Sequence, residues 1–584
     1  MMAQATSVGT PLPSSAPDAL ANYVAARVIT ANDVAAIAML LDLARRAHPD
    51  LDPSLSAWLA LGLAVRGPRD GHTCIDLARG RDWAAGIDFD AEAHLDWPAD
   101  AEDWKKALAS AGPLVGGPED QTPFILDGDR LSIARSWHEE RKIADRLTRD
   151  GSSGDGGSVA QVEVLLGGPG TGKTTEVARR LIQFFRDEPD STIALAAPTG
   201  KAAARMAEAL RQRLDASDAP PEVRDKVAAA RPLTIHKLLG YRPHGTPRYR
   251  YHATSPLDVR FVIVDEASML SSSMMLHLLE ALGDKTSLLL VGDPDQLASV
   301  DAGSVLGDIA RAARPEGSPL HRLTRLLTVR HRFGPRIGAL ADAILAGDDA
   351  GVAQTFAILE RRFTITPDPR NVKPDDPESV EWVEPGSDAF KGIVKQAVAQ
   401  ATRLRDRATA GQAAEAVAAQ AEFQVLCAHR SGTFGVAGLN ERVERQLDVT
   451  GGDLWYVGRP VLVTRNTPTL DLFNGDVGIV VPGEGGRRDA AFPREKEGIK
   501  RVPVARLEAV ETVHALTIHK SQGSEYRHVV VVLPEKPSRI VTRELLYTGV
   551  TRARDKVTVV GSRAVIEAAI RKPIRRATGL AGRL

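Results

Sequence analysis

Short apolar runs rich in β-branched residues alternate with helical stretches through the middle of the chain. These runs are Val162–Leu166, Thr192–Ala196, Phe261–Val264 and Ser287–Val291. Strand-length runs separated by helices are typical of a parallel sheet with crossover helices. The pattern therefore predicts an α/β domain.

A second alternation of this kind comes later in the chain. Its runs are Phe423–Cys427, Pro460–Val463, Val529–Leu533 and Lys556–Val560. Within it, Leu470–Arg506 is rich in glycine and holds the alternating run Asp476–Val481, which predicts a small β insert. Residues Pro367–Gly386 are rich in proline and acidic residues, so we expect an exposed connection there. We therefore expect a second parallel-sheet domain that carries an insert.

The first part of the chain has a different pattern. From Asp18 to about Leu147 it is rich in alanine and leucine, with helical spacing at Val34, Ile37 and Leu41. No catalytic pattern occurs there, so a helical docking domain is the simplest interpretation. The polar segment Asp150–Ser158 has the composition of a flexible loop. The expected organisation is a docking domain over 1–135, sheet domains over 136–350 and 351–584, and an insert near 467–512.

Bulk composition narrows the class of protein. A chain of 584 residues is too long for one core, and its 43% hydrophobic and 26% charged content is that of a soluble protein. No apolar run approaches the roughly 20 residues that cross a membrane, and Met1–Leu20 has no secretory pattern. The two cysteines, Cys74 and Cys427, exclude a cysteine-built metal site and fit a reducing cytosol. We expect a cytoplasmic protein without a membrane partner.

A glycine-rich loop follows the first strand of the first sheet. Its residues, which we expect to bind nucleotide, are Gly167, Gly168, Pro169, Gly170, Thr171, Gly172, Lys173, Thr174 and Thr175. In a strand–loop–helix setting this G-x-x-x-x-G-K-T pattern is a Walker A loop, whose backbone N–H groups surround phosphates. Lys173 supplies a positive charge, and the Thr174 hydroxyl can ligate Mg²⁺. The alternative is a glycine-rich turn with an accidental Lys-Thr pair.

Polar side chains follow two further strands of the same sheet. After Phe261–Val264, Asp265 can hold Mg²⁺ through water and Glu266 can polarise the attacking water. After Ser287–Val291, the turn delivers Gln296, whose amide can sense the γ-phosphate or its water. The alternatives are that the two carboxylates cap a helix and that Gln296 is an ordinary turn residue.

Two arginines beyond the first sheet are candidates to contact the nucleotide from the side opposite the glycine-rich loop. Arg332 lies in Arg330–Gly334, and Arg552 lies in Tyr547–Arg554. An arginine that reaches the γ-phosphate across a cleft stabilises the charge of the transition state. Either residue could instead be a solvated or ion-paired surface arginine.

The order of these motifs resembles that of superfamily 1 helicases. The motifs are Gly167–Thr175, Ala197–Met206, Val264–Leu270, Gly292–Leu297, His331–Gly334, Leu516–Gly523 and Leu546–Arg554. Four segments are similar to the RecD family, the alpha subunits of exodeoxyribonuclease V (the RecBCD enzyme): Ala197–Met206, Thr234–Gly240, Arg459–Asn466 and Leu472–Ile479. The resemblance runs from about Ser136 to Gly561, and Gly71–Cys74 resembles the N-terminal domain of that family.

This resemblance carries several implications. It implies two RecA-like motor domains, ATP and Mg²⁺ as cofactors, 5′→3′ polarity as in superfamily 1B, and an SH3-like insert. It also implies RecB-like and RecC-like partners in a heterotrimer, with the nuclease in RecB and RecC contacting the N-terminal domain. No nuclease constellation is evident in this chain. Arg141–Leu147, upstream of the loop, offers no glutamine to read adenine, so that role is unassigned.

Nucleic-acid contacts are predicted from short polar and basic side chains at strand ends and loops. The candidates are Thr199, Lys201, Arg205, Thr234, His236, Thr464, Asn466, Thr517 and His519. Such groups suit sequence-independent contact with phosphates, and helix caps or loop hydrogen bonds are the alternative. The basic segment Arg571–Arg576 is expected to be a solvated end.

The leading hypothesis is an ATP-dependent DNA helicase or translocase subunit of a RecBCD-type complex that processes double-strand breaks. Its DNA partners would be single strands and duplex ends. One alternative is a stand-alone superfamily 1B helicase. Another is a non-motor regulatory P-loop ATPase, which leaves the motifs over Leu516–Arg554 unexplained.

Overall fold

The computed structural model describes residues 11–80, 95–148, 162–242, 248–329, 334–360, 379–449, 453–494 and 498–584. The segment Asp150–Ser158, Arg332 and the first part of Pro367–Gly386 lie outside these ranges. Within them, no helix is both long and apolar enough to span a membrane.

The first region combines helices with a small sheet. Its described helices are α1 (Leu20–Ala25), α2 (Ala31–Ala44), α3 (Leu55–Arg66) and α4 (Ala101–Ala109). Its described strands, β1 (Ile75–Asp76), β2 (Val115–Gly116), β3 (Phe124–Asp127) and β4 (Arg130–Ile133), pair in the order β1-β4-β3-β2. Trp58 and Trp104 are buried in its core. The helical pattern is confirmed, but strands this short gave no recognisable run in the sequence.

A parallel sheet follows. Its described strands are β5 (Val162–Gly167), β6 (Ile193–Ala197), β7 (Leu233–Thr234), β8 (Phe261–Val264), β9 (Ser287–Gly292) and β10 (Thr324–Leu327), in the order β10-β5-β9-β8-β6-β7. The helices around it are α5 (Ala134–Thr148), α6 (Lys173–Asp187), α7 (Gly200–Asp215), α8 (Pro221–Ala229), α9 (Ile235–Leu238), α10 (Ser272–Glu280), α11 (Val305–Ala312) and α12 (Pro319–Leu323). Strand periodicity sends Val164 and Leu166 into one core and Leu165 into another, so helices cover both faces.

The second parallel sheet has the described order β11-β20-β19-β12-β18. Its strands are β11 (Val380–Val383), β12 (Phe423–Cys427), β18 (Ala515–Thr517), β19 (Tyr526–Val532) and β20 (Ala553–Val560). The helices are α13 (Pro335–Ala346), α14 (Asp349–Leu359), α15 (Asp388–Thr409), α16 (Ala413–Ala419), α17 (Val436–Gln446), α18 (Arg543–Val550) and α19 (Arg563–Arg571). The α/β class with two parallel sheets is therefore confirmed.

An antiparallel sheet interrupts this second domain. Its described strands are β13 (Pro460–Val463), β14 (Val477–Pro482), β15 (Arg488–Arg494), β16 (Gly498–Pro503) and β17 (Val510–Thr512), in the order β16-β15-β14-β13-β17. The β insert is thus present. The assignment of Pro460–Val463 to the parallel sheet was wrong, because Val461 pairs antiparallel with Gly478 and Thr512.

Two further expectations need correction. Part of the connection predicted over Pro367–Gly386 is β11, an edge strand in which Val380 and Val383 are buried and the Trp382 indole donates to the Gly561 carbonyl at 2.8 Å. The segment expected to be a solvated end includes Arg576, whose guanidinium donates to the carbonyls of Asp301 and Gly303. A local charge pattern could not reveal partners so distant in the sequence.

Candidate functional site

The glycine-rich loop joins β5 to α6 in a conformation that depends on its glycines. Gly170 and Gly172 have positive φ angles of 77° and 85°, a region that glycine adopts without strain. At Gly167 a Cβ would lie 2.4 Å from Thr171 Oγ1 and 3.0 Å from the Leu327 carbonyl oxygen. The loop therefore packs tightly between β5 and the end of β10.

Lys173 begins α6 and turns its ammonium back into the loop. Its Nζ donates to the carbonyl oxygen of Gly168 at 2.9 Å and to that of Gly167. Residues Pro169–Thr175 line a cavity of about 490 Å³. A helix N-terminus with a lysine and adjacent backbone amides is a favourable site for phosphate groups.

Oxygen donors suited to Mg²⁺ lie on the same cavity. Thr174 and Asp265 both line it, and a hydroxyl and a carboxylate are hard ligands that Mg²⁺ accepts alongside phosphate oxygens and water. Asp265 Oδ1 also accepts a hydrogen bond from the Glu266 backbone N–H at 2.8 Å. The residues present therefore fit a Mg²⁺–nucleotide complex.

Glu266 has a strained backbone and an unusual electrostatic environment. Its φ is 53°, the left-handed region that non-glycine residues rarely occupy. Burial raises its pKa and the Asp265 carboxylate raises it further, while the positive charges of Arg552, Lys173 and Arg205 lower it. A carboxylate held in this way beside a phosphate cavity is well placed to accept a proton from water.

Gln296 lies at the turn after β9 and is buried. Its Nε2 donates to Asp293 Oδ2 at 3.0 Å, and its Oε1 has no hydrogen-bond partner among the described residues. Both Asp293 and Gln296 line the cavity. The free amide oxygen is an acceptor that could orient a water molecule there.

Arg552 reaches the cavity from the second parallel sheet. It is buried, and its Nε donates to the Thr548 carbonyl at 3.1 Å while Nη1 donates to the Ser524 carbonyl at 3.3 Å. The structure therefore brings one of the two predicted arginines to the nucleotide cavity. Arg332 lies outside the described residues.

Lys201 and Arg205 were predicted for nucleic acid, and the structure places both at the cleft between the two sheets. Lys201 Nζ donates to Ser524 Oγ at 2.7 Å, and burial lowers its pKa to about 8. Arg205 donates to the Gly523 carbonyl at 3.0 Å, pairs with Glu525 at 2.5 Å and lines the cavity. The sequence pattern did not identify Glu525, although it lies only two residues after the Leu516–Gly523 motif.

Three of the predicted threonines are helix or turn caps. Thr199, Thr234 and Thr517 accept backbone N–H groups through Oγ1 at 3.2, 3.3 and 3.3 Å. A cap uses the oxygen as an acceptor, so the hydroxyl proton can still be donated to a phosphate. The cap interpretation and the nucleic-acid interpretation are therefore compatible.

The remaining candidates lie in both sheet domains. Asn466 Oδ1 accepts from the Asn474 backbone N–H at 2.8 Å, which closes the loop of the insert, and Thr464 directly follows β13. Burial lowers the pKa of His236 and of His519, which favours the neutral ring with one donor and one acceptor nitrogen.

A basic and aromatic segment near these candidates was missed. Residues 226–257 contain no Asp or Glu. Tyr241 is 43% exposed and its ring lies 5.5 Å from both His236 and Tyr249. Exposed Arg242 and Arg248 flank these rings. A search for long acid-free stretches with interleaved aromatic residues would have found this segment.

The insert contacts the first sheet domain beside these groups. Lys237 Nζ lies 4.1 Å from the centre of the Phe473 ring, and a Cβ on Gly200 would lie 2.9 Å from Phe473 Cγ. Phe473 therefore packs on the start of α7, next to Thr199. This contact brings the loop that holds Asn466 close to the segments that hold Thr199 and His236.

Comparison with known proteins adds independent information. A family model described as RecBCD enzyme subunit RecD, N-terminal domain, matches residues 25–131. An AAA domain model matches residues 156–302, and a UvrD-like helicase C-terminal domain model matches residues 512–560.

Relatives match over most of the chain. The RecBCD enzyme subunit RecD of Mycolicibacterium smegmatis is 41% identical, over 91% of this chain and 94% of that protein. The ATP-dependent RecD2 DNA helicase of Deinococcus radiodurans is 31% identical, over 72% of this chain and 50% of that protein. Among solved structures, Pif1 helicase from Bacteroides in complex with ADP-AlF3 and ssDNA has a TM-score of 0.38 at 15% identity, covering 75% of this chain and 94% of that chain.

Proposed function

The chain belongs to the RecD family of RecBCD enzyme subunits, and on that premise we propose that it is an ATP-dependent DNA helicase acting within a RecBCD-type complex. Such a complex would process double-strand DNA breaks for recombinational repair. The observation that carries the proposal is the meeting of Glu266 from the first sheet domain with Arg552 from the second at one phosphate cavity. A cavity built from both domains allows hydrolysis to change how the domains sit together.

Different residues of the cavity would have different roles in ATP hydrolysis. Lys173 and the loop amides would bind the β- and γ-phosphates. Thr174 and Asp265 would hold Mg²⁺, which when bound neutralises phosphate charge. Glu266 would take the proton of the attacking water, and Gln296 Oε1 would orient that water.

Arg552 would stabilise the charge that spreads over the transferring phosphoryl group. Because its guanidinium is held by carbonyls of the second sheet domain, its contribution depends on how closely the two domains approach. Hydrolysis and product release would therefore be coupled to opening of the cleft.

Contacts across the cleft would carry this change to the rest of the molecule. Asp293, which bonds Gln296, also accepts the Tyr547 hydroxyl at 3.1 Å, and the Leu297 backbone N–H donates to Thr548 Oγ1 at 3.2 Å. A change at the γ-phosphate would thus reach α18 through one side chain.

Single-stranded DNA would run along the side where Phe473 meets α7. Threonines that cap helices and turns, histidines and exposed arginines suit contact with the phosphate backbone of DNA. Tyr241 offers an aromatic face on which a base can stack. Polarity of 5′→3′, the RecB-like and RecC-like partners and a cytoplasmic location are part of this proposal and follow from the family.

The experiment is ATP hydrolysis by the purified chain with and without single-stranded DNA, using Lys173→Gln and, as a matched control, Lys395→Gln. Lys395 is an exposed lysine on α15. We expect DNA to stimulate turnover in the wild type and in the control, and Lys173→Gln to lower it by about 10²-fold or more while the fold is kept.

Each outcome separates the hypotheses. Normal turnover in folded Lys173→Gln would overturn the site. Turnover indifferent to DNA would favour a regulatory ATPase. Turnover that appears only when RecB-like and RecC-like subunits are added would support a subunit that needs its complex, and strong unwinding by the chain alone would favour a stand-alone helicase.

A further inference from the structure

After α19 the chain crosses back over the molecule. Residues 572–584 leave the second sheet domain and end on the first sheet domain and the N-terminal region. The residues that make these contacts are not among those that line the nucleotide cavity, and the function proposed above does not use them.

Arg576 anchors this segment to the loop after Gln296. Its Nη1 donates to the carbonyl oxygens of Asp301 at 2.9 Å and Gly303 at 2.7 Å, and Nη2 donates to the Ser299 carbonyl. A guanidinium shared among three backbone carbonyls fixes the loop as well as the segment.

The next residue joins the N-terminal region. The Ala577 N–H donates to His72 Nδ1 at 2.9 Å, and the Ala577 carbonyl accepts from the Thr73 N–H at 3.0 Å. A Cβ on Gly71 would lie 2.9 Å from the Arg576 guanidinium carbon, so glycine leaves the space that Arg576 needs.

A buried carboxylate on α5 completes the junction. Glu140 is fully buried and accepts from Thr73 Oγ1 at 2.5 Å, from the Gly579 N–H at 3.0 Å and from Arg583 at 2.7 Å. Leu580 is fully buried in the core of the first sheet domain. One side chain therefore bonds the N-terminal region and the crossing segment together.

The crossing itself is one residue long. The Ile574 N–H donates to Glu544 Oε2 at 2.7 Å and Ile574 packs on the core of the second sheet domain, whereas Arg576 is held by the first. Arg575 lies between them and is exposed. Two successive Cα–Cα steps span at most about 7.6 Å, so the domains cannot separate far at this point.

We propose that residues 576–584 form a clamp that fixes the N-terminal region to the first sheet domain, and that Arg575 is the pivot about which the second sheet domain turns. The clamp rests on the contacts alone. The pivot rests on the proposed function, because a pivot is needed only if the cleft between the two sheet domains opens and closes.

Hydrogen exchange of the full chain tests the clamp. We expect Arg576→Ala to speed exchange of the Thr73 and Gly303 amides by about tenfold or more, because each is a donor in or beside the junction. The control Arg575→Ala, one position earlier and exposed, should exchange like the wild type.

A variant lacking residues 576–584 should show a larger effect, and adding a synthetic peptide of those residues should restore protection. If the deletion variant does not fold, Arg576→Ala still decides. Wild-type exchange at Thr73 and Gly303 in folded Arg576→Ala would overturn the clamp.

The pivot is tested by inserting Gly-Ser-Gly-Ser after Arg575. Dyes on cysteines replacing exposed Glu222 and Lys395 report the distance between the sheet domains, since the native Cys74 and Cys427 are buried. We expect a broader distance distribution with protection at Thr73 unchanged; an unchanged distribution would overturn the pivot. Neither readout needs ATP hydrolysis, so failure here is distinct from failure of the proposed function.

Discussion

Glu266 combines two features that each cost stability. A left-handed backbone at a non-glycine residue costs on the order of 1–3 kcal/mol, and burial of its carboxylate raises its pKa. Residues held in such conformations tend to occur at functional sites, where the surrounding structure maintains them.

Replacement of the carboxylate should separate binding from turnover. In Glu266→Gln we expect nucleotide binding to be retained, because the phosphate loop is unchanged, and turnover to fall by about 10²–10⁴-fold with the loss of the base. Fluorescent-nucleotide titration and phosphate release measure the two quantities. The control Glu222→Gln, on the exposed face of α8, should leave both unchanged; rapid turnover in Glu266→Gln would assign the base elsewhere.

At the residue scale, the sequence predicted functional side chains that follow strands and missed side chains whose partners are distant in the sequence. Lys173, Asp265 and Gln296 are adjacent to strand ends, where a parallel sheet collects side chains at one edge. Glu140 and Arg576 carry no local signal, because their partners Gly579 and Gly303 lie more than 200 residues away along the chain.

The acid-free segment 226–257 is the element that most distinguishes one side of the first sheet domain. No acidic residue within the segment offsets the positive charge of its exposed cations. The adjacent Tyr241–Tyr249 pair supplies flat apolar surface. This combination is typical of sequence-independent binding to single strands.

Removal of two of these cations should weaken DNA binding in a salt-dependent way. For Arg242→Ala with Arg248→Ala, the magnitude of the slope of log K against log salt should fall by about 1.4, since each of the two single-strand phosphate contacts contributes about 0.7. Fluorescence anisotropy at several salt concentrations measures this slope. The control pair Arg46→Ala, in the turn after α2, and Arg186→Ala, on α6, replaces two exposed arginines and should keep the wild-type slope. An unchanged slope in the first pair would place the DNA elsewhere.

Strands were predicted well where an apolar run is long. The sheet to which a strand belongs was predicted less well, because strand pairing decides it. Phe261–Val264 and Phe423–Cys427 are strands at the predicted bounds. Pro460–Val463 is also a strand, but its local run cannot distinguish parallel from antiparallel neighbours. β11 was missed because proline and acidic residues surround it in the sequence.

In the whole molecule, the insert and the second sheet meet at a buried histidine. His514 lies between β17 and β18, and its Nε2 is 2.7 Å from Tyr456 Oη. Burial, with a smaller effect from Arg459, lowers its pKa to about 3. The unfolded chain therefore binds a proton below pH 6.5 that the folded chain does not accept until about pH 3.

This difference predicts acid sensitivity of defined sign. The stability that neutral His514 contributes is fully present above pH 6.5 and is lost as the pH falls towards 3. We expect the thermal midpoint of His514→Gln to fall less between pH 7 and 4 than that of the wild type.

This prediction has a matched control variant and one other titrating group whose effect on acid stability is of opposite sign. Exposed His48→Gln should follow the wild type. Burial raises the pKa of Asp308 to about 6, an effect of opposite sign that is common to all three proteins and cancels in the comparison. Equal acid sensitivity in His514→Gln would contradict the prediction.

At the scale of the molecule, the alternation of strand-length and helical runs predicted two parallel sheets, and the motif order predicted the family. The junction of the N-terminal region, the first sheet domain and the crossing segment was not predictable, because it depends on the path of the whole chain. The proposed partners and polarity rest on family membership alone, since no residue encodes either on its own.

The insert has one property that concerns the history of the fold. Its first and last strands, β13 and β17, are hydrogen-bonded neighbours, so the chain enters and leaves it at points about 5 Å apart. Only Val513 and His514 separate β17 from β18 of the parallel sheet.

A module with adjacent ends can be gained, lost or exchanged by recombination without changing the order of strands around it. The alanine-rich face of α15 and α16 packs on Ile479 and Val481 of this insert. A chimaera that replaces the insert would therefore need to redesign that face and the contact of Phe473 with the start of α7, and it could leave the strand order of both parallel sheets as it is.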